Sequence, residues 1–113
     1  MNAYAIAQVI SVDFGPDIVE YLRRIDATLD RFDGRFRFHG GEKQQIEGVW
    51  QGDLIIIEFP GIAAARAWYE SPEYQEILPL RTDHMVANTI LIEGLPDGYR
   101  GESSLKYLLP DGG

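Results

Sequence analysis

Ala3-Tyr4-Ala5-Ile6-Ala7-Gln8-Val9-Ile10-Ser11-Val12 alternates between two faces, and both are mostly apolar. Tyr4, Ile6, Gln8, Ile10 and Val12 share one face; Ala3, Ala5, Ala7, Val9 and Ser11 share the other. Two apolar faces mark a central strand covered on both sides. The small residues of the second face let a helix approach closely.

The neighbouring segments follow from this strand. Gly15-Pro16-Asp17 ends it and opens a helix, with proline in the first turn and aspartate at the positive end of the dipole. Ile18, Tyr21, Leu22, Ile25, Leu29 and Phe32 recur at helical spacing, and Gly34 is expected as a left-handed C-terminal cap. Arg35 to His39 alternates strictly, which predicts a strand with Phe36 and Phe38 on one face and Arg35, Arg37 and His39 on the other. Gly40-Gly41 breaks it, and residues 43–51 suggest a short hairpin arm. Leu54 to Phe59 reads as a buried strand whose polar residue is Glu58. Alanine-rich Ile62 to Glu70 is helical, and Ser71-Pro72-Glu73 restarts the helix, with Pro79 expected to shorten or kink it. Met85 to Glu93 is the last strand.

The order strand, helix, strand, strand, helix, strand predicts an α+β fold. It is the ferredoxin-like βαββαβ arrangement, a four-stranded antiparallel sheet with two helices on one face. Residues 1–94 form that domain. Residues 95–113 form a Gly-, Pro- and Ser-rich extension with Leu105, Tyr107, Leu108 and Leu109 as docking points. The helices leave Tyr4, Ile6, Ile10, Leu54, Ile56, Ile90 and Ile92 facing away from them. An apolar face of that size predicts a homodimer closed sheet to sheet.

Composition sets further bounds. The chain has 113 residues, a length suited to one core, and no cysteine, which removes disulfides, thiolate nucleophiles and thiolate metal sites. Ten basic residues against 18 acidic ones give a net charge of -8, the wrong field for nucleic acid. No leader-like or bilayer-length apolar run appears, so a cytoplasmic protein without membrane partners is expected.

Phe59-Pro60, Ala64-Ala65-Arg66-Ala67-Trp68-Tyr69, Ser71-Pro72-Glu73-Tyr74-Gln75 and Leu78-Pro79-Leu80-Arg81 together resemble the family of small bacterial proteins called domain of unknown function 1330. Gly34-Arg35-Phe36 and Gly40-Gly41-Glu42 fit the same pattern, and the similarity spans roughly residues 4 to 94. The resemblance implies the dimeric α/β-barrel superfamily, in which two ferredoxin-like subunits face each other through their sheets. Where similar members often carry arginine before the Gly-Gly, this chain has His39.

Two groups of residues suggest chemistry. By parity Gln8, Arg37, His39, Glu58 and Asn88 would share the apolar sheet face. A buried carboxylate without a partner is costly, so Glu58 is expected to be neutral, to pair with Arg37 or His39, or to face a wet cavity. Read functionally, His39 is a general acid/base oriented by Glu58; read structurally, the group is an ion-pair network that fixes dimer register. The second group is Trp68, Tyr69, Tyr74 and Arg81, aromatic walls with one convergent cation, suited to a small organic acid or to plain helix packing. His39 and His84 are too isolated for a metal site, a haem has no supporting motif, and no cofactor is expected. The sequence thus favours a dimer that binds a small organic molecule, with cofactor-free proton transfer as its chemistry. The alternative is a non-catalytic binding or assembly module.

Overall fold

The computed structural model describes residues 1–111. Its elements are β1 (Ala3–Val12), α1 (Pro16–Asp30), β2 (Arg35–His39), β3 (Asp53–Phe59), α2 (Ile62–Glu70), α3 (Pro72–Thr82) and β4 (Met85–Glu93). A 3₁₀ turn at Gly101–Ser104 leads into α4 (Leu105–Leu108). The four strands pair antiparallel throughout, in the order β2-β3-β1-β4. This is the ferredoxin-like sheet, with β1 central as its two apolar faces require.

The helices cover the face of Ala3 and Ala5. These small residues pack with Ile57 and Phe59 of β3 and with Tyr21, Ile25, Leu29, Trp68, Tyr74 and Ile77 of the helices. Ser71 separates α2 from α3 because its backbone is extended, as the residue before a proline must be. Its hydroxyl then accepts from the Tyr74 N–H at 3.2 Å and donates to the Trp68 carbonyl at 2.7 Å. Pro79 does not cut α3, which runs on to Thr82. It lies on the exposed side of the helix, where the backbone bond it removes is not buried in the core.

Gly34 serves a different purpose from the one expected. The left-handed residue after α1 is Asp33, with φ 56°. Gly34 instead allows close approach, since a Cβ there would meet Phe59 Cε1 at 2.6 Å and Leu29 Cδ2 at 2.8 Å. The hairpin arm expected at residues 43–51 is absent; this segment has no strand, and Ile46 and Val49 stand in solvent.

Two bulges change which side chains share a face. In β1, Val9 pairs with Ala87 but Ser11 with Val86, so Ile10 is the extra residue and Val12 turns toward the helices. In β2, Phe36 pairs with Ile57 but Phe38 with Ile56, so Arg37 is extra. Arg35 and Phe38 therefore face away from the helices, while Phe36 and His39 face toward them. That corrects the strict alternation read from the sequence.

The face away from the helices stays apolar and uncovered. Phe38 is 56% exposed, Val86 61%, Ile90 54% and Ile92 47%. Leu105, Tyr107, Leu108 and Leu109 of the extension are also exposed, so they do not dock on their own subunit. The radius of gyration, 16.7 Å, exceeds the roughly 13 Å expected for a chain of this length.

Candidate functional site

The small side chains of β1 leave space between the sheet and the helices. That space is a cavity of ≈ 320 Å³. Its floor is Ala5, Ala7, Val9 and Val12; its far wall is Ile18, Tyr21 and Ile25 of α1. Phe36, His39, Asp53, Ile55 and Ile57 close the β2–β3 side, and Trp68, Tyr69, Tyr74, Arg81, Met85 and Thr89 close the rest. The surface is predominantly apolar with a few convergent polar groups, the usual make-up of a small-molecule site.

The polar groups are concentrated at one wall. The hydroxyls of Tyr21 and Tyr74 are 2.7 Å apart, both residues are buried, and their rings meet edge to face. Arg81, in the last turn of α3, places its guanidinium carbon 5.9 Å from the Tyr21 ring centre and reaches Met85 Sδ at 3.9 Å. Burial, and then Tyr74, push the Tyr21 phenol far above its ordinary range, with Arg81 pulling partly back. Burial works against the charge of Arg81, but the phenol oxygens of Tyr74 and Tyr21 outweigh it and hold the guanidinium above its ordinary value. Trp68 is anchored from below, its indole N–H donating to Thr28 Oγ1 at 3.0 Å.

Trp68, Tyr69, Tyr74 and Arg81, grouped in the sequence by helical spacing, thus do meet at one cavity. Tyr21 and Thr89 join them without having been singled out. Tyr21 carried a signal: a hydroxyl inside the buried stripe of an amphipathic helix must find a partner. Trp50 does not line the cavity; its backbone N–H bonds Gln45 Oε1 at 3.1 Å.

The group Gln8, Arg37, His39, Glu58 and Asn88 does not come together. His39 lies at the cavity, stacked on Phe36 with ring centres 5.0 Å apart. Glu58 is on the opposite face of the sheet, so the expected His39–Glu58 pair does not form. The one-residue bulge at Arg37 is the reason. Glu58 instead takes Arg35 Nε and Nη2, each at 3.1 Å, Asn2 Nδ2 at 3.1 Å and the Tyr4 hydroxyl at 3.4 Å. Hydrogen bonding from Arg35, aided by the charge of Arg37, lowers the Glu58 carboxyl below its ordinary value. Gln8 and Asn88 lie on that same outer face. Asn88 Nδ2 approaches Gln8 Oε1 at 3.5 Å, and Gln8 also donates to the Gln51 carbonyl at 3.2 Å. Four residues along β1 separate Gln8 from Tyr4, roughly 13 Å of strand.

His84 binds Asp17 Oδ2 through Nε2 at 2.9 Å, a tie between the end of α3 and the start of α1. Among the described residues no three His, Asp or Glu side chains gather where they could hold a metal ion. Among the described residues no helix is long and apolar enough to cross a membrane.

Residues 2–95 match the family described as Domain of unknown function (DUF1330). The chain belongs to that family. No curated protein sequence matches it. Among solved structures, RPA0582, a protein of unknown function from Rhodopseudomonas palustris, aligns with a TM-score of 0.63 at 17% identity, covering 84% of this chain and 83% of that one. SnoaB, a cofactor-independent oxygenase from Streptomyces nogalater, aligns at 0.58 and 12% identity, covering 88% and 98%. A dimeric ferredoxin-like protein of unknown function from Jannaschia sp. CCS1 aligns at 0.55 and 13%, covering 80% and 98%. At these identities the likeness is one of fold.

Proposed function

We propose that this DUF1330 protein is a homodimer, closed sheet to sheet, each subunit of which binds a small organic molecule between its own sheet and helices. The observation that carries the ligand reading is the apolar cavity of ≈ 320 Å³ with Tyr21, Tyr74 and Arg81 converging on one wall. The dimer reading rests on the uncovered aliphatic strip of the outer face, which is too large to leave against water. The Gln8–Asn88 contact and the Glu58 cluster stand at different points along that strip and set its register. Glu58 thus belongs to assembly.

Proton transfer to or from the bound molecule falls to His39, whose ring lines the cavity and carries one nitrogen that can accept and one that can donate. Arg81 and the tyrosine pair orient the ligand. SnoaB shows that the fold accommodates chemistry without a cofactor, a fold-level analogy that this proposal extends to the present chain.

Filling the cavity tests the ligand reading. Ala7→Phe places a ring on the cavity floor, and we expect it to abolish retention of a co-purifying small molecule, read by mass spectrometry of the denatured protein. Unchanged retention in a folded Ala7→Phe protein overturns the reading.

A further inference from the structure

We infer that the molecule held in this cavity carries one oxyanion, a carboxylate or an enolate, on an otherwise apolar body, and that Tyr21, Tyr74 and Arg81 bind that oxyanion. The inference rests on the cavity being a ligand site and goes on to name the ligand's charge.

Counting hydrogens leads there. Each phenol brings one O–H, and at 2.7 Å one of the two protons lies between the oxygens. The other is left to donate elsewhere. Arg81 adds N–H groups and no acceptor. The wall therefore offers donors in excess and asks for an acceptor with several lone pairs. Tyr21 cannot supply one by ionising, because burial and Tyr74 keep its phenol protonated.

Charge gives the same answer. The chain has 18 acidic residues against 10 basic ones. Arg24, Arg31, Arg35 and Arg66 each reach a carboxylate, as does Lys43. Arg23, Arg37, Arg100 and Lys106 form no ion pair among the described residues either, but they are exposed. Arg81 is partly buried, lines the cavity and likewise reaches no carboxylate, its neighbours being the hydroxyls of Tyr21 and Tyr74 and a thioether. A protein rich in carboxylates that leaves this cation without one keeps the position open for an anion from outside. A partly desolvated cation gains most from such a partner.

Matched pairs of acids and amides test this: benzoate with benzamide, cinnamate with cinnamamide, and 2-naphthoate with 2-naphthamide, titrated by NMR into the full chain. We expect each acid to bind about tenfold to a hundredfold tighter than its amide, the range set by charged hydrogen bonds. Arg81→Met keeps the apolar stem and should reduce that preference to about twofold. Tyr74→Phe, which spares the guanidinium, should weaken the acids several-fold and leave the amides unchanged. Equal binding of acids and amides that Ala7→Phe abolishes overturns the inference and leaves the cavity reading standing. So does an acid preference that survives in folded Arg81→Met. Binding of neither series, or binding that Ala7→Phe does not alter, overturns both.

Discussion

The indole N–H of Trp68 on α2 donates to Thr28 Oγ1 on α1 at 3.0 Å, and the Thr28 hydroxyl in turn donates to the Ile25 carbonyl at 2.6 Å. This chain of two hydrogen bonds joins the helices on either side of the cavity. It also fixes the plane of Trp68, whose ring centre is 4.1 Å from that of Tyr74. Thr28→Val keeps the volume and removes the acceptor, stranding a buried indole N–H. The expected loss is about 1–3 kcal/mol of stability, measured by urea unfolding, whereas Thr28→Ser should stay near wild type.

Gly34 tolerates no side chain. Its missing Cβ is what lets the Phe59 ring and Leu29 close over the chain between α1 and β2. Gly34→Ala should cost about 1–3 kcal/mol through overpacking, seen as a lower thermal midpoint. A midpoint equal to wild type would show that the Phe59 ring yields without strain.

The aliphatic strip of the outer face predicts the oligomeric state. Light scattering should give about twice the 12.8 kDa chain mass. Ile90→Asp, which places a charge opposite Ile6 of β1 at the centre of the strip, should give the single-chain mass with native circular dichroism. A wild-type protein that scatters as one chain at micromolar concentration removes the dimer.

Acid should loosen the fold through Glu58. Its carboxyl titrates below the ordinary 4.5 because Arg35 donates to the charged form. Between its folded value and 4.5 the unfolded chain binds more protons, so stability rises with pH there. The contribution is complete above 4.5 and is lost as pH falls through the folded value. Denaturation midpoints measured from about pH 6 down to about pH 3 should fall more steeply in wild type than in Glu58→Gln. Parallel slopes would remove Glu58 as the source.

The sequence made the element order plain. Alternation in β1 and helical spacing in α1 are direct imprints of which side chains meet the core, and Ser71-Pro72 marks the break between α2 and α3 by its local chemistry. Trp68, Tyr74 and Arg81 could be grouped because one helical side carries them across two short helices. Faces were legible only while the strands stayed regular. Strict parity in β2 put His39 beside Glu58, and nothing in Arg35-Phe36-Arg37-Phe38-His39 announces that Arg37 is looped out of the ladder. Helical spacing alone places Tyr21 in an apolar stripe, since its partner on α3 lies 53 positions away and only folding brings the hydroxyls together.

The extra residue in β2 gives this position unusual leverage over heredity. Excising the single codon for Arg37 would restore regular pairing and leave His39 in the chamber under the helices, whereas drawing Arg37 into the ladder with nothing deleted would turn His39 to the opposite side of the sheet. That shift of pairing leaves the histidine itself untouched while relocating it between two compartments. Homologues aligned without a gap here can therefore display the same letter and a different anatomy.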